Sequence, residues 1–387
     1  MFENQSVNHG ILERYAYNLR WAAVESGTIP LTAADPDFPC APQISEAVQK
    51  WAKDSYFCYG PPEGLPDFRV QMARFFDEKR GIAAVESRVL AVDSAAYGIY
   101  LVCKTLLTAG DEAIIFDPVD FLFRYSIETV GATAVTYPIP AGTETETWEG
   151  LEAKITPRTR LICLCNPLNP TGKVFTESEL TQLADIAVKH NLTILSDEIW
   201  SDIVFKPHVY TSIASLDHAV AQLTITVTGF SKSYGLAGLR IGALHAPSDA
   251  MFSKLFAASL HQSTVHGINT AGQIAATAAL SGAQDWLAAF IIHLQKMRDI
   301  CTSELNTIKG FKCIPPQGCY VAFANITGTG LSSTEVAERI RKEGKVAIVP
   351  GLKQWFGEKA EGYIRLSFAT SEAILSDALL RIKNCFE

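Results

Sequence analysis

The chain has 387 residues, 48% of them hydrophobic and 19% charged, with a formal net charge of -8 at neutral pH. That length suits one large α/β domain with an appendage or two domains, and the apolar content argues against disorder. An acidic balance without a basic run excludes a non-specific nucleic-acid surface, and the lack of eighteen consecutive apolar residues argues against a membrane span.

From the N-terminus, residues 1–19 have polar and charged residues interspersed throughout and lack the apolar stretch of a signal peptide, so a cytoplasmic protein is expected. Nine cysteines, at 40, 58, 103, 163, 165, 301, 313, 319 and 385, form no CxxC pair and no metal spacing, which reads as thiols in a reducing compartment. From residue 88 short apolar runs alternate with helix-length segments. Strands are expected at 88–92, 112–116, 133–137, 160–165, 192–196, 223–228 and 239–245, with Cys163 and Cys165 on one face of their strand. Helices are expected at 97–107, stopped by Gly110, and at 177–190, where Thr176 caps and Glu179 stands three residues on. The alternation predicts a doubly wound, mostly parallel sheet, whose ligands belong beyond the carboxyl ends of its strands. After Ala246 the pattern turns helical, starting at Ser248 and including a long helix at 283–307. Strands at 319–326, 346–349 and 363–368 and helices at 333–343 and 372–384 then form a smaller α+β unit. The division is placed at 45–285 for the large domain and 1–44 with 286–387 for the small one.

Three segments fall at strand ends: NPLNPTG at 166–172, SDEIW at 196–200 and GFSKSYGLAGLR at 229–240. Lys232 sits in a Gly- and Ser-rich turn after an apolar strand, where an amine can be desolvated and kept neutral enough to attack an aldehyde. Taken alone, a solvated surface lysine is the simpler reading. Asp197 follows an apolar run, so its carboxylate emerges at a strand end, where a ligand would lie; a helix cap is the competing role. Ser94 stands between a strand and a helix, so the backbone N–H groups of Ala95 and Ala96 can point at an anion.

Together the three segments resemble the fold-type-I pyridoxal-phosphate (PLP) enzymes, specifically the class I/II aminotransferases, from about residue 30 to residue 370. The resemblance implies an α/β fold of the aminotransferase type with PLP carried by Lys232 as a Schiff base. Asp197 would keep the pyridine nitrogen protonated, making the ring an electron sink. Asn169 would donate to the cofactor's phenolic oxygen and face the substrate, and Arg240 would grip the phosphate with a bidentate fork. Arg365, in GYIRLS, matches the arginine that binds the substrate's α-carboxylate. Tyr59, in YGPPEG, matches a tyrosine that the neighbouring subunit supplies to the phosphate, which implies a homodimer with shared sites. A turn tyrosine packing locally is its competitor.

Three departures stand out. Gly229 replaces a phosphate-binding serine, leaving Thr228 or Ser231 to stand in. Asp120 occupies the place of the aromatic side chain that stacks on the ring, for which Phe121 or Phe123 are substitutes. Trp200 replaces a tyrosine and can donate to the cofactor only from its ring N–H. The leading expectation is an aminotransferase acting on an amino acid and a 2-keto acid. LRW at 19–21, PLTAADPDF at 30–38 and SDEIWSDI at 196–203 look like the cystathionine beta-lyase-like branch, making a carbon–sulfur lyase the alternative. A catalytically idle PLP-fold regulator is a distant third, because Lys232 and Asp197 are intact and forty leading residues are too few for a DNA-binding appendage.

Overall fold

The computed structural model describes residues 1–387. Strand β1 (Ile29–Pro30) belongs to the smaller unit. The large sheet is built from β2 (Val89–Val92), β3 (Glu112–Asp117), β4 (Thr133–Pro138), β5 (Thr159–Cys165), β6 (Thr193–Asp197), β7 (Thr224–Gly229) and β8 (Gly242–His245). Their order is β2-β8-β7-β6-β5-β3-β4, and β8 alone runs against the rest. Every residue of β2, β3, β7 and β8 is buried, so these strands are continuous apolar or small-residue runs covered on both faces. The smaller unit holds β9 (Lys312–Cys313), β10 (Val321–Asn325), β11 (Val346–Ala347), β12 (Val349–Pro350) and β13 (Tyr363–Ser367). An antiparallel sheet runs β12-β13-β10-β9, while β1 pairs in parallel with β11.

Most expected elements form within a residue or two of their sequence bounds. Thr176 and Glu179 make a reciprocal capping box on the helix Glu177–Lys189. Ser248 caps Asp249–Ser259, and the long helix is Gln284–Leu305. One strand is corrected: residues 239–241 are not extended, because Ala237–Leu239 is a helical turn and Arg240 takes a left-handed conformation, so β8 begins only at Gly242. The expected strand at 346–349 divides into β11 and β12, which serve different sheets. Expected helix 333–343 is α-helical only to Arg339 and widens over Ile340–Gly344. No single helix is long and apolar enough to cross a membrane.

Candidate active site

The carboxyl ends of β5, β6 and β7 open onto one place. Asp197 ends β6 and is 5% exposed, with one carboxylate oxygen accepting from the Ile199 N–H at 3.1 Å. Burial pushes its pKa up to about 7, and the nearby charges of Asp120 and Glu198 push the same way. The Ile199 N–H and the charge of Lys232 pull the other way without offsetting burial, and a protonated ring nitrogen beside the carboxylate would favour its charged form.

Lys232 hangs in the loop after β7. Its Nζ donates to the Ala34 carbonyl at 2.7 Å and lies 5.3 Å from the centre of the Trp200 ring. Burial lowers its pKa, against an opposing pull from Asp35, so the amine is biased toward the neutral form a nucleophile or base needs. The loop is anchored on both sides. Ser233 donates to Asp202 at 2.8 Å, and Asp202 is paired with buried Arg80. At Gly235, φ is +69° and an added Cβ would lie 3.2 Å from Pro36, so only glycine lets the 34–36 segment close over the lysine. The Tyr320 hydroxyl donates to the same Ala34 carbonyl at 3.1 Å, and its ring meets Trp200 edge-on at 4.7 Å.

Asn169 and Arg365 meet on the other side. Arg365, on β13, donates from Nη1 to Asn169 Oδ1 at 3.2 Å and from Nη2 to the Thr32 carbonyl at 3.0 Å. Its Nε is buried without a partner, and the guanidinium lies over Phe356 at 5.0 Å. Asn169 Nδ2 donates to Asp120 at 2.7 Å, which leaves its second N–H for another acceptor.

The residues expected to meet a phosphate lie on other segments. Ser94 caps the helix Ala95–Leu106 by accepting from Tyr97, so the N–H groups of Ala95 and Ala96 are first-turn donors that the helix itself cannot satisfy. A Cβ on Gly242 would lie 3.0 Å from the Ala95 nitrogen, so the absent side chain keeps this helix start hard against β8. Arg240, half exposed, rests on Asp93 at 3.0 Å just before Ser94. Tyr59 is 87% exposed and touches the His266 ring at 5.2 Å. The donor set fits a flat cationic ring with a phosphate tail: a buried carboxylate, an amine, an amide N–H and a helix start with free N–H groups.

Three of the substitutes offered by the sequence are engaged elsewhere. Thr228 donates its hydroxyl inward to the Glu198 carbonyl at 3.2 Å, which leaves Ser231 as the nearby hydroxyl. Phe123 is 1% exposed in the hydrophobic core, and Phe121 packs edge-on against Trp355 at 5.4 Å. Sequence reasoning missed the carbonyls of Ala34 and Thr32, which leave no side-chain signature, and the Asp120–Asn169 bond, which Asp120's departure from pattern did flag. The LRW and ADPDF motifs prove to be one staple: buried Arg20 pairs with Asp37, and Trp21 Nε1 donates to the same oxygen at 2.7 Å.

Residues 26–382 match the family model for aminotransferase class I and II. The chain is 32% identical to an aromatic-amino-acid aminotransferase of Thermococcus litoralis, over 92% of this chain and 91% of the relative. It is 29% identical to cystathionine beta-lyase PatB of Bacillus subtilis, over 92% of each. A PLP-bound putative aminotransferase from Clostridium difficile superimposes with a TM-score of 0.90 at 26% identity, covering 99% of both chains. On the family match and these full-length likenesses, the chain belongs to the class I and II aminotransferases.

Proposed function

We propose that the protein is a PLP-dependent aminotransferase in which Lys232 is the covalent anchor and the proton carrier. The observation that carries this is the convergence of Lys232 Nζ and buried Asp197 at the strand ends with the Asn169–Arg365 pair. When bound, the cofactor supplies a protonated ring that delocalises the electron pair left on the substrate's α carbon. Asp197 holds the proton on the ring nitrogen. Arg365 holds the α-carboxylate with its open Nε edge, while Asn169 and the Thr32 carbonyl fix the plane of the fork. Lys232, released from its anchoring role, would take the proton from the α carbon and return it at the cofactor's C4′ carbon, two atoms along, its lowered pKa suiting it to the first act. Ala95, Ala96, Ser231 and Arg240 hold the phosphate. Trp200 lines the wall behind Lys232.

The same reading takes 45–285 as the cofactor-binding domain and 1–44 with 286–387 as the domain that closes on it. It also takes the protein as a cytoplasmic homodimer, with Tyr59 completing the phosphate site of the other subunit, because the ring is presented to solvent beside exposed Tyr56 and Phe57. Likeness to a cystathionine beta-lyase supports β-elimination as a second reading. Against it, the Arg20–Trp21–Asp37 staple accounts for two lyase-like motifs by packing alone. The deciding experiment supplies a panel of amino acids and follows two outputs. Conversion of bound PLP to pyridoxamine phosphate, reversed by a keto acid, is expected; fast pyruvate and ammonia release from cystathionine without that conversion would overturn it.

A further inference from the structure

Arg365 is buried, and none of its nitrogens lies within ion-pair distance of a carboxylate; its direct partners are an amide oxygen and a carbonyl. Its nearest compensating charge is one step removed. Asp120 is joined to Arg365 through Asn169, accepting from Nδ2 while Oδ1 of the same amide accepts from the guanidinium. The Leu122 N–H at 3.2 Å and a backbone bond from the Asp120 N–H to the Asn169 carbonyl at 3.1 Å hold Asp120 in place. The charged and titratable groups around it are Arg365 on β13, Lys232 after β7, Asp197 at the end of β6 and Cys165 at the end of β5.

A substrate carboxylate landing on the open Nε edge of Arg365 becomes a second anion on a cation that Asp120 already offsets. Two carboxylates sharing one buried cation do not both stay ionised. We propose that Asp120 takes up a proton when a carboxylate binds at Arg365, so that substrate binding in this enzyme is proton-linked through the Asp120–Asn169–Arg365 chain. This rests on the aminotransferase reading and its assignment of Arg365. The direction of Asp120's pKa, already raised by burial, agrees with it.

The chemistry balances differently for the two substrates. An amino acid brings the proton on its own ammonium: the N–H bond breaks, the Asp120 O–H bond forms, and the nitrogen is left with the lone pair it needs to attack. A keto acid has no such proton and draws one from solvent. Keto-acid binding therefore weakens with rising pH where amino-acid binding does not.

The test is calorimetry of the holoenzyme with unreactive monocarboxylates, acetate through 3-phenylpropionate, in phosphate and in Tris at one pH. The heat difference between buffers counts protons, and the cofactor's visible band reports titration at Lys232 in the same solutions. Wild type is expected to take up close to one proton more than Asp120→Asn, with affinity falling about tenfold per pH unit above the Asp120 pKa. Asp120→Glu, which keeps the carboxylate, should restore the uptake. Equal uptake in wild type and Asp120→Asn overturns the inference alone and leaves the aminotransferase reading standing. No carboxylate binding at any pH overturns both, because Arg365 would then not be a substrate residue.

Discussion

Lys232, Asn169 and Arg365 are held by bonds from distant parts of their own chain and Asp197 by the nearby Ile199 N–H, with Arg365 8% and Asp197 5% exposed. Arg240, and Tyr59, which in the proposed dimer serves the other subunit's site, are exposed, and Arg240 is tied only to Asp93 and the Ala237 carbonyl. The inner half is preorganised by the fold, so its groups meet a substrate without paying for ordering. The outer half waits for something this chain does not provide: the phosphate itself and, in the proposed dimer, the second subunit. Chemistry should therefore fail on damage to the inner half, while cofactor retention should fail on damage to the outer.

The largest effect is expected at the inner lysine. Lys232→Ala should lower turnover by roughly 10⁴-fold or more and abolish borohydride-fixed cofactor, with folding intact. A labelled peptide lacking position 232 would break the comparison at its centre. Asp197→Asn should keep cofactor bound but slow loss of the α proton by roughly 10²–10³-fold, measured by deuterium exchange. Arg365→Lys keeps the charge and loses the fork, so kcat/KM should fall by roughly 10²-fold, mostly through KM. At the outer edge, Tyr59→Phe should weaken cofactor binding by only about tenfold, with kcat little changed once the site is saturated. Mixed dimers of Tyr59→Phe and Lys232→Ala chains should regain some activity, because one site then receives both native groups. A fully active monomer would dissolve the distinction between the halves.

The smallest effect is thermal. A folded-state pKa raised above the unfolded value favours the folded apoenzyme at low pH, and this contribution is lost as pH rises through the folded value. Asp197, near 7 when folded, should thus make the apoenzyme lose stability between about pH 4 and about pH 7. Cofactor loading should offset that loss, so the gap in Tm between loaded and empty protein should widen across this window. Asp197→Asn should flatten the widening.

The inner half was also the more legible. Lys232, Asp197 and Asn169 stand just beyond apolar runs, and strand ends are where a doubly wound sheet presents ligands. The strands are legible because burial on both faces leaves continuous apolar runs, whereas the expected elements do not include the helices Pro42–Ala52 and Pro66–Arg80, although each opens on a proline that suits a first helical turn. Contacts between a side chain and a distant backbone were illegible. Nothing in the residues 33–35 says that the Ala34 carbonyl will meet an amine 198 positions later. Arg80 reaching Asp202, which in turn holds Ser233, depends likewise on three segments meeting. Residues 239–241 were misread because Leu239 and Ile241 are apolar, while the left-handed turn at Arg240 has no glycine to announce it.

The parallel pairing of β1 with β11 also fixes an order of events. Ile29 and Pro30 have their partners at Val346 and Ala347, and Asn4 receives a hydrogen bond from Ser371. On a ribosome the first segment is therefore made more than three hundred residues before the strand that receives it, and until then it cannot dock. The Ala34 carbonyl that orients Lys232 lies in that waiting segment, so the lysine is held in its working position only when synthesis is nearly complete. A nascent chain can assemble most of its large sheet early, but maturation of the site belongs to the last moments of translation.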